Sequence, residues 1–143
     1  MATKVGVDCS FLAHALIPSQ QTPIARAALN EANLIGHELL GAAVLFSEFP
    51  SVLRKLVTRQ SLSKPEAQAL FEIFRQLPIE STNASRALMQ RSWDLSIALD
   101  QSDTHDSMGY AVAEMHKAEF WTSDQRFTNA AANKGLRGYR LFA

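Results

Sequence analysis

The side chains of this sequence best suited to chemistry are four acids, Asp8, Glu48, Asp106 and Asp124. Two carboxylates about 4 Å apart repel each other by roughly 4 kcal/mol at an effective dielectric near 20. A group of four in one cleft therefore raises its own pKa values and costs folding stability, unless a cation joins it. Oxygen ligands favour Mg²⁺ or Mn²⁺, which prefer octahedral sites and keep several waters.

Asp8 and Asp124 each follow a short apolar segment with the pattern of a buried strand. Asp8 comes after "KVGV", and Asp124 comes directly after "EFWTS". If the two strands are neighbours in a parallel sheet, both carboxylates lie at the same edge of that sheet. Each acid is equally suited to cap the helix predicted to follow it, which for Asp124 is residues 125–133. The sequence leaves both roles open.

Glu48 lies in the apolar stripe of a predicted helix, three residues after Leu45 and four residues before Val52. It therefore points toward the core or its margin, where a carboxylate needs a cation, hydrogen-bond donors or a raised pKa. Pro50 interrupts this pattern, because proline breaks a helix interior. Either the helix restarts near Ser47 or it kinks at Pro50. Under the restart, Glu48 is also explained as a first-turn acid favoured by the helix dipole.

Asp106 opens the helix predicted within "DTHDSMGYAVAE", where the helix dipole is a sufficient reason for an acid. Asp103 is predicted to cap that helix, and His105 adjoins the candidate site and could touch a substrate. Zinc is not favoured, because Cys9 is isolated and the four histidines show no ligand spacing.

Strands and helices are predicted to alternate along the chain. Thr22 is predicted to cap a helix whose first residue is Pro23 and which runs to about residue 33. Ser63 to Glu66 form a capping box that begins another helix. Further helices are predicted through residue 56, over residues 83–99 and around residues 108–115, and further strands over residues 37–40, 78–81, 119–123 and 138–142. This alternation predicts an α/β fold, a three-layer α/β/α sandwich around a mainly parallel sheet.

Length and composition predict one domain over residues 1–143. The single cysteine excludes an internal disulfide and favours the cytoplasm, and no apolar run is long enough to span a membrane. The formal net charge is zero, but basic residues cluster at two places, Arg54, Lys55, Arg59 and Lys64, and Arg126, Lys134, Arg137 and Arg140. These clusters fit either a phosphate backbone or solvated helix faces.

Four segments in this order and spacing resemble the PIN domain family, and the likeness is closest to VapC-like toxins of bacterial toxin–antitoxin pairs. The segments are "VGVDCSFL", "FSEFPSVLRKL", "HDSMGYAVAE" and "FWTSDQRF". The resemblance places Asp8, Glu48, Asp106 and Asp124 as the acidic quartet, with Thr122 and Ser123 as the hydroxyl residues beside the last acid. It also implies five parallel strands with the first and fourth adjacent.

The resemblance implies metal-dependent hydrolysis of RNA phosphodiester bonds. Asp8, Asp106 and Asp124 are expected to hold Mg²⁺, or Mn²⁺, directly or through water. Glu48 is expected to bind a second metal ion or to orient and deprotonate the attacking water. Thr122 or Ser123 is expected to hydrogen-bond a water or a phosphate oxygen. A homodimer and an inhibitory antitoxin are the expected partners.

Three other functions remain as alternatives. A housekeeping RNA-processing nuclease would use the same site, and a non-catalytic PIN-like module would bind RNA or protein without it. A receiver-type phospho-switch is not favoured, because Asp8 has no neighbouring acid and no Lys follows the last predicted strand.

Overall fold

The computed structural model describes residues 3–143. Its helices and strands are β1 (Lys4–Val7), α1 (Cys9–Leu16), α2 (Thr22–Leu34), β2 (Glu38–Ala42), α3 (Leu45–Thr58), α4 (Lys64–Gln76), β3 (Ile79–Thr82), α5 (Arg86–Ala98), α6 (His105–Met115), β4 (Glu119–Thr122), α7 (Gln125–Asn133) and β5 (Tyr139–Leu141). The predicted alternation of strands and helices is confirmed.

The strands form one parallel sheet in the order β3-β2-β1-β4-β5. β1 lies between β2 and β4, and Val7 at the end of β1 stands opposite Trp121 in β4. The predicted adjacency of the first and fourth strands is therefore confirmed. It brings the residues that follow β1 and β4 to the same edge of the sheet.

Helices cover both faces of the sheet, so the molecule is a three-layer α/β/α sandwich as predicted. Successive strand residues point to opposite faces. In β4, Trp121 accordingly joins the core beneath α1 to α4, whereas Phe120 joins the core beneath α5 to α7. None of the helices within residues 3–143 is long and apolar enough to cross a membrane.

Two glycines let α6 lie unusually close to the sheet. A Cβ atom at Gly6 in β1 would come within 2.9 Å of the Ala113 Cβ, and one at Gly109 would come within 3.0 Å of the Phe120 ring. The same Gly109 position is only 3.9 Å from the Asp8 Cβ. This close approach carries Asp106, one turn before Gly109, toward Asp8.

The capping box is confirmed, since the Ser63 hydroxyl accepts the Glu66 N–H and the Glu66 carboxylate accepts the Ser63 N–H. The start of α2 differs from the prediction. Gln21 is its N-cap and Thr22 is already helical. The Thr22 hydroxyl donates to the Ile17 carbonyl at 2.7 Å instead, so it closes the preceding loop.

Two other helix starts also differ from the prediction. α5 begins at Arg86 rather than residue 83, because the Ser85 side chain accepts the Leu88 N–H and so caps the helix there. α3 begins at Leu45, two residues before the predicted restart, and runs to Thr58 with Pro50 as its sixth residue. Glu48 therefore lies in the first turn of α3.

Candidate active site

Asp8 joins β1 to α1 and is both a helix cap and a strand-end carboxylate. Its Oδ1 accepts the Phe11 N–H and the Ser10 hydroxyl, each at 2.8 Å. Its Oδ2 accepts the Thr122 hydroxyl at 2.5 Å. The Asp8 side chain, which is only 8% exposed, therefore serves both as the N-cap of α1 and as the carboxylate at the end of β1. The sequence left these two roles open.

Thr122 connects the two strand ends. Its fully buried hydroxyl donates to Asp8 and accepts the Asp124 N–H at 3.1 Å. Ser10 lies 3.1 Å from the same hydroxyl, but it gives its own proton to Asp8 and accepts the Ser123 N–H at 2.9 Å. With both hydroxyl protons directed to Asp8, the two hydroxyls hold this carboxylate in one orientation.

Asp124 repeats the arrangement at the end of β4. It is the N-cap of α7, where its Oδ1 accepts the Phe127 N–H at 3.1 Å. Asp8 and Asp124 therefore flank a single threonine hydroxyl, as expected for acids that follow neighbouring parallel strands.

Asp106 is the second residue of α6 and completes what we call the acidic cluster, Asp8, Asp106 and Asp124. The pKa of Asp106 is raised from 3.8 to about 8. Burial is the largest cause, followed by a hydrogen bond with the Asp124 carboxylate and by the charges of Asp8, Asp124 and Asp103. Near neutral pH, Asp106 therefore favours its protonated form in the metal-free protein.

The pKa of Asp8 is also raised, from 3.8 to about 6. Burial causes this shift, and the hydrogen bonds from Thr122, Phe11 and Ser10 oppose it because they favour the ionised form. The negative charge of Asp124 adds to the increase. Without a metal ion, Asp8 and Asp106 are therefore harder to ionise than ordinary carboxyls.

Glu48 lies beside the acidic cluster rather than within it. Its side chain is 27% exposed, and its Oε2 is 3.4 Å from Nδ1 of His105. Burial raises the pKa of Glu48, whereas His105 lowers it. Within residues 3–143, no hydrogen bond joins Glu48 to a member of the cluster.

Cys9 lies near both Glu48 and members of the acidic cluster. Burial raises the pKa of its thiol to about 12, and the charges of Glu48, Asp8 and Asp106 add to this increase. The three elements β1, α3 and α6 thus direct their acids toward one neighbourhood.

A cleft of about 370 Å³, the acidic cleft, opens beside the cluster. Asp106 and Asp124 line it together with Asp103 and Arg126, whereas Asp8 and Glu48 do not. Asp103 accepts the His105 N–H at 2.9 Å, so it satisfies the first turn of α6 as predicted, although Thr104 is the N-cap residue.

The donor set is suited to a hard divalent cation, since carboxylate oxygens are the ligands that Mg²⁺ and Mn²⁺ prefer. No group of three or more His, Cys, Asp or Glu side chains within the described residues 3–143 is arranged so that it could hold a metal ion. Mg²⁺ commonly binds through one or two carboxylates, with waters and substrate phosphates as its other ligands. The cluster is therefore compatible with such a cation as an open site, not as a closed cage.

Ser10 has a role that the sequence did not predict, since it donates to Asp8 and accepts from Ser123. A hydroxyl two residues after a capping Asp is the signal that could have identified it. Thr122 is the last residue of β4, and Ser123 lies between it and Asp124. The Thr122 hydroxyl is occupied by Asp8 and the Asp124 N–H, and the Ser123 Oγ is buried without a hydrogen-bond partner in the described part of the chain.

The basic residues are divided between several places. Arg126 lines the acidic cleft, whereas Arg54 and Lys64 line a groove between α3 and α4. The Arg140 guanidinium stacks on Phe142 and Trp121, with its central carbon 4.6 and 5.6 Å from the ring centroids. The two clusters of the sequence are therefore not one continuous basic surface.

No protein-family profile and no curated protein sequence matches the chain. Solved structures do match it. VapC20 of Mycobacterium tuberculosis, described as a sarcin–ricin loop cleaving toxin, superimposes with a TM-score of 0.62 and 16% identity, over 90% of this chain and 95% of that chain. VapBC2 of Rickettsia felis, bound to a DNA fragment from its promoter, gives a TM-score of 0.69 and 14% identity, over 99% of this chain and 100% of that chain.

PAE2754 of Pyrobaculum aerophilum is a third similar structure, with a TM-score of 0.60, 13% identity and coverage of 99% of this chain and 90% of that chain. The chain therefore has a PIN-type α/β fold with an acidic edge. The particular form of that fold is the one found in VapC toxins, as the resemblance in the sequence implied.

Proposed function

We propose that this protein is a Mg²⁺-dependent endoribonuclease and the toxin of a toxin–antitoxin pair. One observation carries the proposal: Asp8, Asp106 and Asp124 come from three elements to one sheet edge, where the pKa values of Asp8 and Asp106 are raised. Such a cluster weakens the fold and is relieved by a divalent cation. The likeness to VapC structures supports RNA as the substrate.

In this proposal Asp8, Asp106 and Asp124 hold the cation, directly or through water. A bound divalent cation supplies positive charge beside the scissile phosphate and lowers the pKa of a coordinated water. Thr122 and Ser10 orient Asp8, because their hydroxyl protons are both directed to its oxygens. Glu48 accepts the proton of the attacking water, a role that suits a carboxylate whose pKa burial has raised.

The test is RNA cleavage by the wild type and by Asp8→Asn, Asp106→Asn and Asp124→Asn, each with Mg²⁺ and with EDTA. The wild type should cleave single-stranded RNA only with Mg²⁺, and each variant should lose at least about a hundredfold in rate, because a carboxylate that binds the cation becomes a neutral amide. Circular dichroism checks that each variant is folded.

Asp94→Asn is the matched control, since Asp94 is exposed on α5 and, within residues 3–143, its carboxylate accepts only the Gln90 amide one turn earlier. It should cleave as fast as the wild type. Cleavage by the wild type in EDTA, or undiminished cleavage by folded Asp8→Asn, would contradict the proposal.

The partners are also part of the proposal. A groove of about 410 Å³ between α3 and α4 has Leu53, Val57 and Phe71 in its lining and Arg54 and Lys64 beside them. An antitoxin segment with apolar and acidic side chains suits this surface. Co-expression with the product of a short upstream reading frame should give a stable complex and abolish cleavage. Light scattering should show the free protein as a homodimer.

A non-catalytic PIN-like module is the second candidate. It is favoured by the finding that no three potential ligands in residues 3–143 are arranged to hold a metal ion. A Mg²⁺ titration distinguishes the two functions. A pure binding module should show neither cleavage nor a rise in unfolding temperature with Mg²⁺, whereas the nuclease should show both.

A further inference from the structure

An exposed apolar stripe runs along α5. Met89, Trp93 and Ile97 are 58%, 59% and 63% exposed, and their spacing of four residues places them on one helix face. Several large apolar side chains exposed next to one another are typical of a binding surface. The position of Trp93 in this stripe indicates what could bind there.

Trp93 and Ile97 form one wall of a second cavity of about 390 Å³, which we call the side hollow. The lining of the side hollow and that of the acidic cleft have four residues in common, Asp100, Gln101, Ser102 and Asp103. The loop between α5 and α6 is therefore a common wall. A polymeric ligand bound in the acidic cleft would therefore have the side hollow directly beside it.

The polar groups of the side hollow suit a neutral, hydrogen-bonding ring rather than a phosphate. Asp100 and Asp103 repel anions, and within residues 3–143 the Asp100 carboxylate has no hydrogen-bond or ion-pair partner. Gln101 Oε1 accepts the Ser107 hydroxyl at 2.8 Å, which leaves its Nε2 as a donor. Together with the indole face, the hollow offers a stacking surface, a carboxylate acceptor and an amide donor.

We infer that the side hollow binds an unstacked RNA base next to the scissile bond, with Trp93 as its stacking platform and guanine as the preferred base. This inference rests on the proposed ribonuclease function. Single-stranded RNA is read by stacking on aromatic side chains and by hydrogen bonds to base edges. Guanine matches best, because its N1–H and 2-amino groups can donate to the Asp100 carboxylate and its O6 can accept from the Gln101 amide.

Intrinsic fluorescence provides a direct assay. The chain has two tryptophans, and Trp121 is only 5% exposed with its indole N–H bonded to Glu119 at 2.7 Å. Quenching by a stacked base therefore reports on Trp93. The probes are RNA heptamers of uridine with guanosine, inosine or uridine at the centre, titrated in EDTA so that the RNA stays intact. Trp93→Phe gives the background signal.

Fluorescence anisotropy of the same 5′-labelled heptamers measures binding by every variant. Trp93→Ala should bind the guanosine heptamer roughly 5- to 150-fold more weakly than the wild type, and Trp93→Phe should lose less because it still stacks. Inosine lacks the 2-amino group and should bind the wild type roughly tenfold more weakly than guanosine.

Two further variants test the hydrogen-bonding half of the inference. Asp100→Asn should remove the preference for guanosine over inosine, and it should fold because asparagine tolerates the positive φ of 52° at this position. Met89→Ala is the matched control, because Met89 belongs to the same stripe but lines neither cavity. It should bind each heptamer as the wild type does.

Equal binding of the guanosine heptamer by the wild type and Trp93→Ala would overturn the inference, as would the absence of quenching in the wild type. A wild-type dimer that Trp93→Ala converts to a monomer, without weaker RNA binding, would also overturn it and would assign the stripe to a subunit contact. These outcomes are separate from those that test the proposed function, which depend on RNA cleavage with Mg²⁺ or EDTA and on the Asp8→Asn variant.

Discussion

Replacing Asp8 by asparagine should make the metal-free protein more stable at alkaline pH. Burial raises the pKa of Asp8 from 3.8 to about 6, so the folded state retains the Asp8 proton to a higher pH than the unfolded chain does. The free energy of unfolding consequently falls as the pH rises from about 4 to about 6, and it stays lower above that range. Asparagine has no charge to bury and avoids this loss.

The shift gives the magnitude of the effect. About two pKa units, at roughly 1.4 kcal/mol for each, correspond to roughly 3 kcal/mol at pH 8. In a domain of this size, that gain should raise the unfolding temperature by roughly 6–12 °C. At pH 4 the difference should be below about 1 kcal/mol, since Asp8 is protonated in the folded state and this pH lies only slightly above its unfolded pKa of 3.8.

The hydrogen-bond network can accept the amide of Asp8→Asn while every present partner of Asp8 stays paired. The amide oxygen can still accept the Phe11 N–H and the Ser10 hydroxyl, as Oδ1 of Asp8 does. The amide nitrogen would donate to the Thr122 hydroxyl, which can turn its own proton to Ser10, 3.1 Å away. Ser10 then accepts from both Thr122 and the Ser123 N–H, within the capacity of one hydroxyl.

Thermal unfolding measures the effect, at pH 4 and pH 8, with EDTA and with Mg²⁺. Asp8→Asn should unfold at a higher temperature than the wild type only at pH 8 in EDTA, and added Mg²⁺ should stabilise it less than the wild type. Asp94→Asn makes the same chemical change at an exposed site and should leave both curves unchanged. If Asp8→Asn is no more stable than the wild type at pH 8 in EDTA, burial is not what raises the Asp8 pKa.

Three further predictions concern the same edge of the sheet. Mg²⁺ should raise the unfolding temperature of the wild type clearly at pH 8 and little at pH 5, because at low pH protons occupy the raised-pKa carboxyls of the acidic cluster; an equal rise at both pH values would show that Mg²⁺ binds elsewhere. In urea unfolding, Thr122→Val should lower the free energy of unfolding by about 2–4 kcal/mol, because it leaves Oδ2 of Asp8 and the Asp124 N–H each without the Thr122 hydroxyl as a partner. Thr122→Ser keeps the hydroxyl and should lose about 1 kcal/mol, and equal losses for the two variants would refute the role of the hydroxyl. Gly109→Ala should lose about 1–3 kcal/mol and weaken the response to Mg²⁺, because its Cβ would press on Phe120 and displace α6, while the gain of about 1 kcal/mol expected for an unobstructed helical site would disprove that contact.

The fold follows from signals that are local in the sequence. Apolar runs and helix caps placed β4, α4 and α7 almost at their observed bounds, because Ser63 and Asp124 each end a segment with a side chain that accepts a helical N–H. The start of α5 was less predictable. Three residues in succession, Asn83, Ala84 and Ser85, are compatible with helix, and only the bond from the Leu88 N–H to Ser85 fixes the boundary.

The site was predictable as a set of acids but not as a network. Strand ends indicated Asp8 and Asp124, and the resemblance supplied Asp106 and Glu48. The contacts between them join residues that are more than 100 positions apart, such as the Ser10 hydroxyl and the Ser123 N–H, and no local pattern reports such pairs. The close approach of α6 depends on the Gly109 side of the helix facing Phe120, which only the packed structure shows.

The residues of the acidic cluster are not the ones that would make the fold most stable. An asparagine at position 8 could cap α1 and complete every hydrogen bond of Asp8 without the cost of a buried charge. The same conflict recurs at Asp106, where burial and three neighbouring acids oppose ionisation. Residues that lower the stability of the folded state in this way are expected at functional sites. A requirement for negative charge at this sheet edge explains both residues, and a divalent cation is the partner that would give that charge a use.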